Sequence, residues 1–168
     1  ELNDVLCGGL WPGMYVLVGG TGAGKTQWAV QVAVHAARAG TRVLYLALEL
    51  SPFDMAPRVL ATLDGSSWSN LWRGGMPEAD AVELLSRNER AFRALPLHLE
   101  AAPPFGYGAD ALAARAFALR PGLVVLDYLQ VCGGRLGEEP RVTVGRVAYV
   151  ARAIARDLGA CVLVLSST

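Results

Sequence analysis

A short apolar run, Met14 to Val18, leads into Gly19-Gly20-Thr21-Gly22-Ala23-Gly24-Lys25-Thr26, and a helix-favouring stretch from Lys25 to Ala39 follows. This is GxxxxGK[ST] in the strand-loop-helix setting that its chemistry requires. Glycines let the backbone turn through positive φ and remove Cβ atoms, so successive N–H groups converge on phosphate oxygens at the start of a helix. Lys25 supplies a compact ammonium for the β- and γ-phosphates, and Thr26 a hydroxyl for Mg²⁺. Composition sharpens the point. The basic residues are fourteen arginines and a single lysine, Lys25, at the one position where a planar guanidinium fork would not fit.

A phosphate-binding turn of this kind belongs in an α/β domain, and the rest of the chain alternates accordingly. Strand-like runs recur at Arg42 to Leu48, Leu97 to Glu100, Leu123 to Leu126 and Cys161 to Leu165. Helical stretches lie between them at Pro52 to Leu63, Pro77 to Leu95, Ala109 to Arg120 and Arg141 to Leu158. Gly40 can close the first helix, Ser51-Pro52 can open the second, and Pro121-Gly122 ends the fourth. The expectation is a mainly parallel sheet flanked by helices, in a single domain over 1–168. Gly65 to Met76 and Cys132 to Pro140 read as long loops.

Charge and cysteine content exclude several classes. The 15 basic residues balance 15 acidic ones, which argues against holding nucleic acid by bulk charge. Three cysteines without a CxxC pair indicate neither a disulfide framework nor a zinc site, and a reducing, cytoplasmic setting fits. There is no 18-residue apolar run and no signal-peptide pattern, so no membrane association is expected.

Two carboxylates are candidates beside the loop. Asp127 follows Leu123-Val124-Val125-Leu126, and a carboxylate at the end of a strand buried on both faces points into the ligand crevice. Glu49 ends the run Val43 to Leu48 at the same sheet edge, where it could polarise a water for in-line attack on a γ-phosphate. A Glu between two leucines reads equally well as a helix-capping or surface residue. His35 shares a helical face with Trp28 and Val32 and reads as a packed core histidine. Trp68 and Trp72, four apart, read as a hydrophobic patch or subunit contact.

Leu2-Asn3, Gly8-Gly9-Leu10, Pro12-Gly13, the Gly-rich loop, Leu48-Glu49-Leu50-Ser51, Asp127-Tyr128-Leu129-Gln130 and Val164-Leu165-Ser166 together resemble the RecA-like ATPase domain of DnaB-type replicative helicases, in order and spacing across nearly the whole chain. The resemblance implies a RecA-like P-loop NTPase fold, ATP and Mg²⁺ as cofactors, and work in a hexameric ring on single-stranded DNA. It also implies roles: Glu49 as catalytic glutamate, Lys25 in catalysis and phosphate binding, Asp127 and Thr26 on the metal, and Arg58 near the nucleotide. Arg135 and Arg141, in or beside the loop after Asp-Tyr-Leu-Gln, correspond to a family loop that faces DNA. Departures are visible. The family's loop usually reads Arg-Pro-Ser-Met-Gly-Lys-Thr, whereas Thr21 to Thr26 is closer to the recombinase and circadian-clock branches. Ser167 stands where the helicases carry a glutamine. The family's second DNA loop and arginine finger fall beyond Thr168, so the chain is expected to lack the C-terminal part of the domain. A non-translocating ATPase switch of the same superfamily is the alternative, and a small-molecule kinase a more distant one.

Overall fold

Residues 4, 6–67, 69, 77–101, 107–129 and 139–167 are described in a computed structural model. Five strands, β1 (Gly13–Gly19), β2 (Val43–Ala47), β3 (Leu97–Ala101), β4 (Leu123–Asp127) and β5 (Cys161–Ser167), are joined by five helices among those residues, two of them between β2 and β3. The helices are α1 (Lys25–Arg38), α2 (Pro52–Asp64), α3 (Glu78–Ala94), α4 (Ala109–Leu119) and α5 (Pro140–Leu158). Each was expected from the sequence, the strands from apolar runs and the helices from helix-favouring composition, and differs from its sequence-derived range by one or two residues at an end. The strands form one sheet in the order β1-β5-β4-β2-β3, and every pairing is parallel.

Because β2 and β4 are buried at every position, alternate side chains feed two separate cores. Leu44, Leu46, Val124, Leu126, Val162 and Val164 pack with α4 and α5 through Leu112, Ala116, Val147, Ala151 and Ile154. Val43, Tyr45, Val125, Leu163 and Leu165 pack on the opposite face with α1 and α2 through Ala29, Val30, Ala33, Val34, Met55 and Val59. The chain moves outward from β1 to β2 and β3, then returns to insert β4 and β5 between β1 and β2. Reversing direction puts the connecting helices on opposite faces, as expected when crossovers share one hand.

The helix signals act where the sequence places them. Ser51 caps α2 with a reciprocal capping box to Asp54, and Pro52 stands at its start. Gly40 takes a left-handed φ of 85° just beyond α1. The fourth helix ends one residue earlier than Pro121-Gly122 alone suggests, because Arg120 itself adopts φ 49° as the cap of α4.

His35 corrects an expectation: it is exposed on α1. At about 100° per residue, Ala29, Val30, Ala33, Val34 and Ala37 form the stripe that faces the sheet. Trp28, Val32 and His35 lie on another stripe, only half covered at Trp28 and Val32, and His35 instead lines a surface groove with Gln31 and Arg38. Trp68 and Trp72 lie outside the described residues. No helix among the described residues is long and apolar enough to cross a membrane.

Candidate nucleotide site

Parallel pairing sends the carboxyl ends of β1, β2 and β4 to one edge of the sheet, and the candidate residues follow from there. β1 delivers the loop Gly19, Gly20, Thr21, Gly22, Ala23, Gly24 into α1. Gly22 and Gly24 adopt φ 79° and 85°, a left-handed backbone that a side chain would strain. α1 begins with no side-chain cap hydrogen bond and no acidic residue in its first turn. α2, by contrast, has its own capping box and Asp54. The start of α1 thus leaves its first N–H groups and the positive end of its dipole without an internal anion, beside the glycine-rich turn.

Lys25, the first residue of α1, curls back over the loop and donates from Nζ to the carbonyls of Gly19 at 2.6 Å and Gly20 at 2.9 Å. Thr26, the next residue and about 100° further round α1, faces β4, where its Oγ1 donates to Asp127 Oδ1 at 3.3 Å. That separation is longer than an ordinary hydroxyl–carboxylate bond. It is close to the roughly 3 Å between neighbouring oxygens on an octahedral ion with bonds of about 2.1 Å. A hydroxyl and a carboxylate are both hard oxygen donors, so this pair fits Mg²⁺ and could hold it with nucleotide phosphates.

Asp127 is 5% exposed, the end of a strand otherwise wholly aliphatic. Burial pushes its carboxyl up from the ordinary carboxylate value, hydrogen bonds from Tyr45 and Thr26 pull it down, the charge of Glu49 raises it, and that of Arg58 lowers it. Asp127 therefore meets, within one electrostatic neighbourhood, the four side chains expected to work with it or found beside it. The Asp127–Tyr128 peptide is cis.

Glu49 is exposed, just past β2, and the helix-capping alternative is excluded because Ser51 and Asp54 fill that role. Arg58, on α2, feels the charges of Tyr45, Asp127 and Asp54, and partial burial lowers its pKa. Glu100, at the same edge on β3, is engaged elsewhere: it accepts from Arg115 Nε at 2.6 Å and from the Tyr107 hydroxyl at 3.4 Å. Burial and that carboxylate push the Tyr107 hydroxyl up to about 12. Ser167 stands in register with Gly19 on the neighbouring strand, at the mouth of the loop. Arg141 is exposed in the first turn of α5, and Arg135 lies outside the described residues.

Tyr45 is the residue that sequence reading misses. Its hydroxyl donates to Asp127 Oδ2 at 2.8 Å, inside the sheet. The signal was present as the only polar side-chain atom in the run Val43 to Ala47, since a buried hydroxyl needs a partner.

The family description "DnaB-like helicase C terminal domain" matches residues 1–167. Probable plasmid replicative DNA helicases of Chlamydia muridarum and Chlamydia trachomatis are 26% identical over 148 residues, which is 85% of this chain and 32% of theirs. The chain thus spans about a third of the length of these relatives. Among solved structures, the ATPase domain of G40P superposes with a TM-score of 0.83 at 17% identity, over 99% of this chain and 61% of that one. A DnaB-like replicative helicase, solved in a study of its interactions with primase, gives 0.79 at 17% identity, over 94% of this chain and 39% of that one. The fold is that of RecA-like P-loop NTPases, and with nearly its whole length matched the chain belongs to the DnaB-like helicase C-terminal domain family.

Proposed function

We propose that this domain is the Mg²⁺-dependent ATP-hydrolysing core of a replicative helicase that works as a hexameric ring on single-stranded DNA. The observation that carries the ATPase part is the Thr26–Asp127 pair beside an uncapped helix start that also bears Lys25. The N–H groups of residues 20 to 26 bind phosphate oxygens, and Lys25 exchanges its two carbonyl partners for the β- and γ-phosphates. Thr26 and Asp127 would hold Mg²⁺, which when bound would supply positive charge beside the phosphates. Glu49, exposed at the same edge, accepts a proton from the attacking water, and Arg58 adds positive charge beside the site. Arg135 and Arg141 contact the DNA backbone.

The test is ATP turnover by the full-length protein with and without single-stranded DNA. Strong stimulation, with turnover and nucleotide binding both lost in Lys25→Ala, is the expected result. A rate indifferent to DNA would favour a non-translocating switch, the reading toward which the Thr21–Thr26 sequence leans. Unchanged ATP binding by Lys25→Ala would remove the phosphate-loop assignment itself.

A further inference from the structure

Tyr45 and Asp127 meet because of register. Ala47 stands opposite Asp127, and Tyr45 lies two residues earlier on the same face of β2, so the two side chains are diagonal neighbours. With strands about 4.8 Å apart and a rise of about 3.3 Å per residue, such neighbours are about 8 Å apart at the backbone, within reach of a long aromatic side chain. The methyl of Ala47 leaves the space between them clear. Tyr45 is 1% exposed and packs among Val43, Val125, Met55 and Val59, so its ring has little freedom and its hydroxyl stays on Asp127 Oδ2 at 2.8 Å. The other carboxylate oxygen, Oδ1, is the one that accepts from Thr26.

We propose that Tyr45 is a positioning residue for the Mg²⁺–nucleotide site: by holding Oδ2 of Asp127, it fixes the carboxylate plane so that Oδ1 is presented to Thr26 and the metal. This rests on the metal-site reading above and adds to it a buried residue from the neighbouring strand. A carboxylate with one oxygen pinned has one orientation to offer. Without the hydroxyl, rotation about the Cβ–Cγ bond exchanges the two oxygens, and the buried oxygen loses its donor. Side chains that orient metal ligands typically change metal affinity or activity 10- to 100-fold when removed. Tyr45 is thus distinct from an aromatic residue that only fills the core, whose loss would lower stability and leave the metal alone.

The experiment uses the full-length protein and a fluorescent, non-hydrolysable ATP analogue, titrated with Mg²⁺. Tyr45→Phe removes one oxygen and keeps the ring. The expected result is a rise of about tenfold or more in the Mg²⁺ concentration for half-maximal binding, with metal-free binding of the analogue unchanged. In an Asp127→Asn background the same substitution should add nothing, because Tyr45 acts through that carboxylate. A half-saturation within twofold of the parent overturns the proposal, as does an equal effect in both backgrounds. Should Tyr45→Phe melt below the assay temperature, 4-fluorophenylalanine at position 45 fills the hydroxyl's space without a donor and is read in the same way. If the parent itself binds the analogue without regard to Mg²⁺, the metal-site reading fails and Tyr45's role with it. If the parent depends on Mg²⁺ and both replacements match it, the role of Tyr45 alone fails.

Discussion

In the proposed reaction Lys25, Thr26, Asp127 and Glu49 carry different parts, and their substitutions should separate those parts. Glu49 touches neither the loop nor a helix cap, and its carboxylate is exposed near Asp127. Glu49→Gln should therefore bind ATP and Mg²⁺ as the parent does, yet hydrolyse ATP at least about 100-fold more slowly, the scale of losing general-base help. Single-turnover kinetics beside a binding titration would check this, and near-normal turnover would take Glu49 out of catalysis. At this scale the sequence was informative where a motif fixes a residue's neighbours, as it does for Lys25 and Thr26. It was silent where neighbours depend on sheet order. Nothing in Val43 to Ala47 says that β4 lies alongside, so Tyr45 reads as one more core residue until the register is known. The burial of His35 failed for a related reason, since sharing a face with Trp28 and Val32 does not say which face meets the sheet.

Among the elements, α2 has the most to do beyond packing. It starts three residues after Glu49, carries Arg58, and is anchored by Ser51, whose Oγ accepts from the Asp54 N–H at 3.2 Å and donates to Asp54 Oδ2 at 2.7 Å. The cap, two residues after Glu49, is exposed and fixes the start of α2. Ser51→Ala should cost about 1 kcal/mol, lowering Tm by roughly 2–4 °C in a domain of this size. It should also reduce kcat more than nucleotide affinity, because the loosened segment carries Glu49, the proposed proton acceptor, and not the phosphate loop. Calorimetry and steady-state kinetics would show both, and an asparagine at position 51, which also caps, should restore them. Element boundaries were legible because they rest on local chemistry: Ser51-Pro52 starts α2, and Gly40 follows α1 with positive φ. The end of α4 was less so, since Arg120 adopts a left-handed backbone that sequence assigns to glycine.

For the molecule as a whole, the strand order sets a timetable. β1 carries the phosphate loop and is made early, yet its strand partner among the described residues is β5, with Gly13 beside Cys161 and Gly19 beside Ser167. At about 5–20 residues per second, synthesis leaves β1 without that partner for on the order of ten seconds. The closure of so long a loop is paid for late. On ribosomes arrested at increasing chain lengths, protease resistance of residues 13–38 should appear only once 161–167 have left the exit tunnel. Resistance in shorter chains would mean that β1 and α1 settle on α1's contacts alone. Val16 and Val18, still exposed in the finished sheet, lie bare throughout that interval. If the loop binds ATP as proposed, a nascent or broken chain lacking β5 has the loop's residues but no paired strand to aim them, and it should neither sequester nucleotide nor use it as a template for the fold.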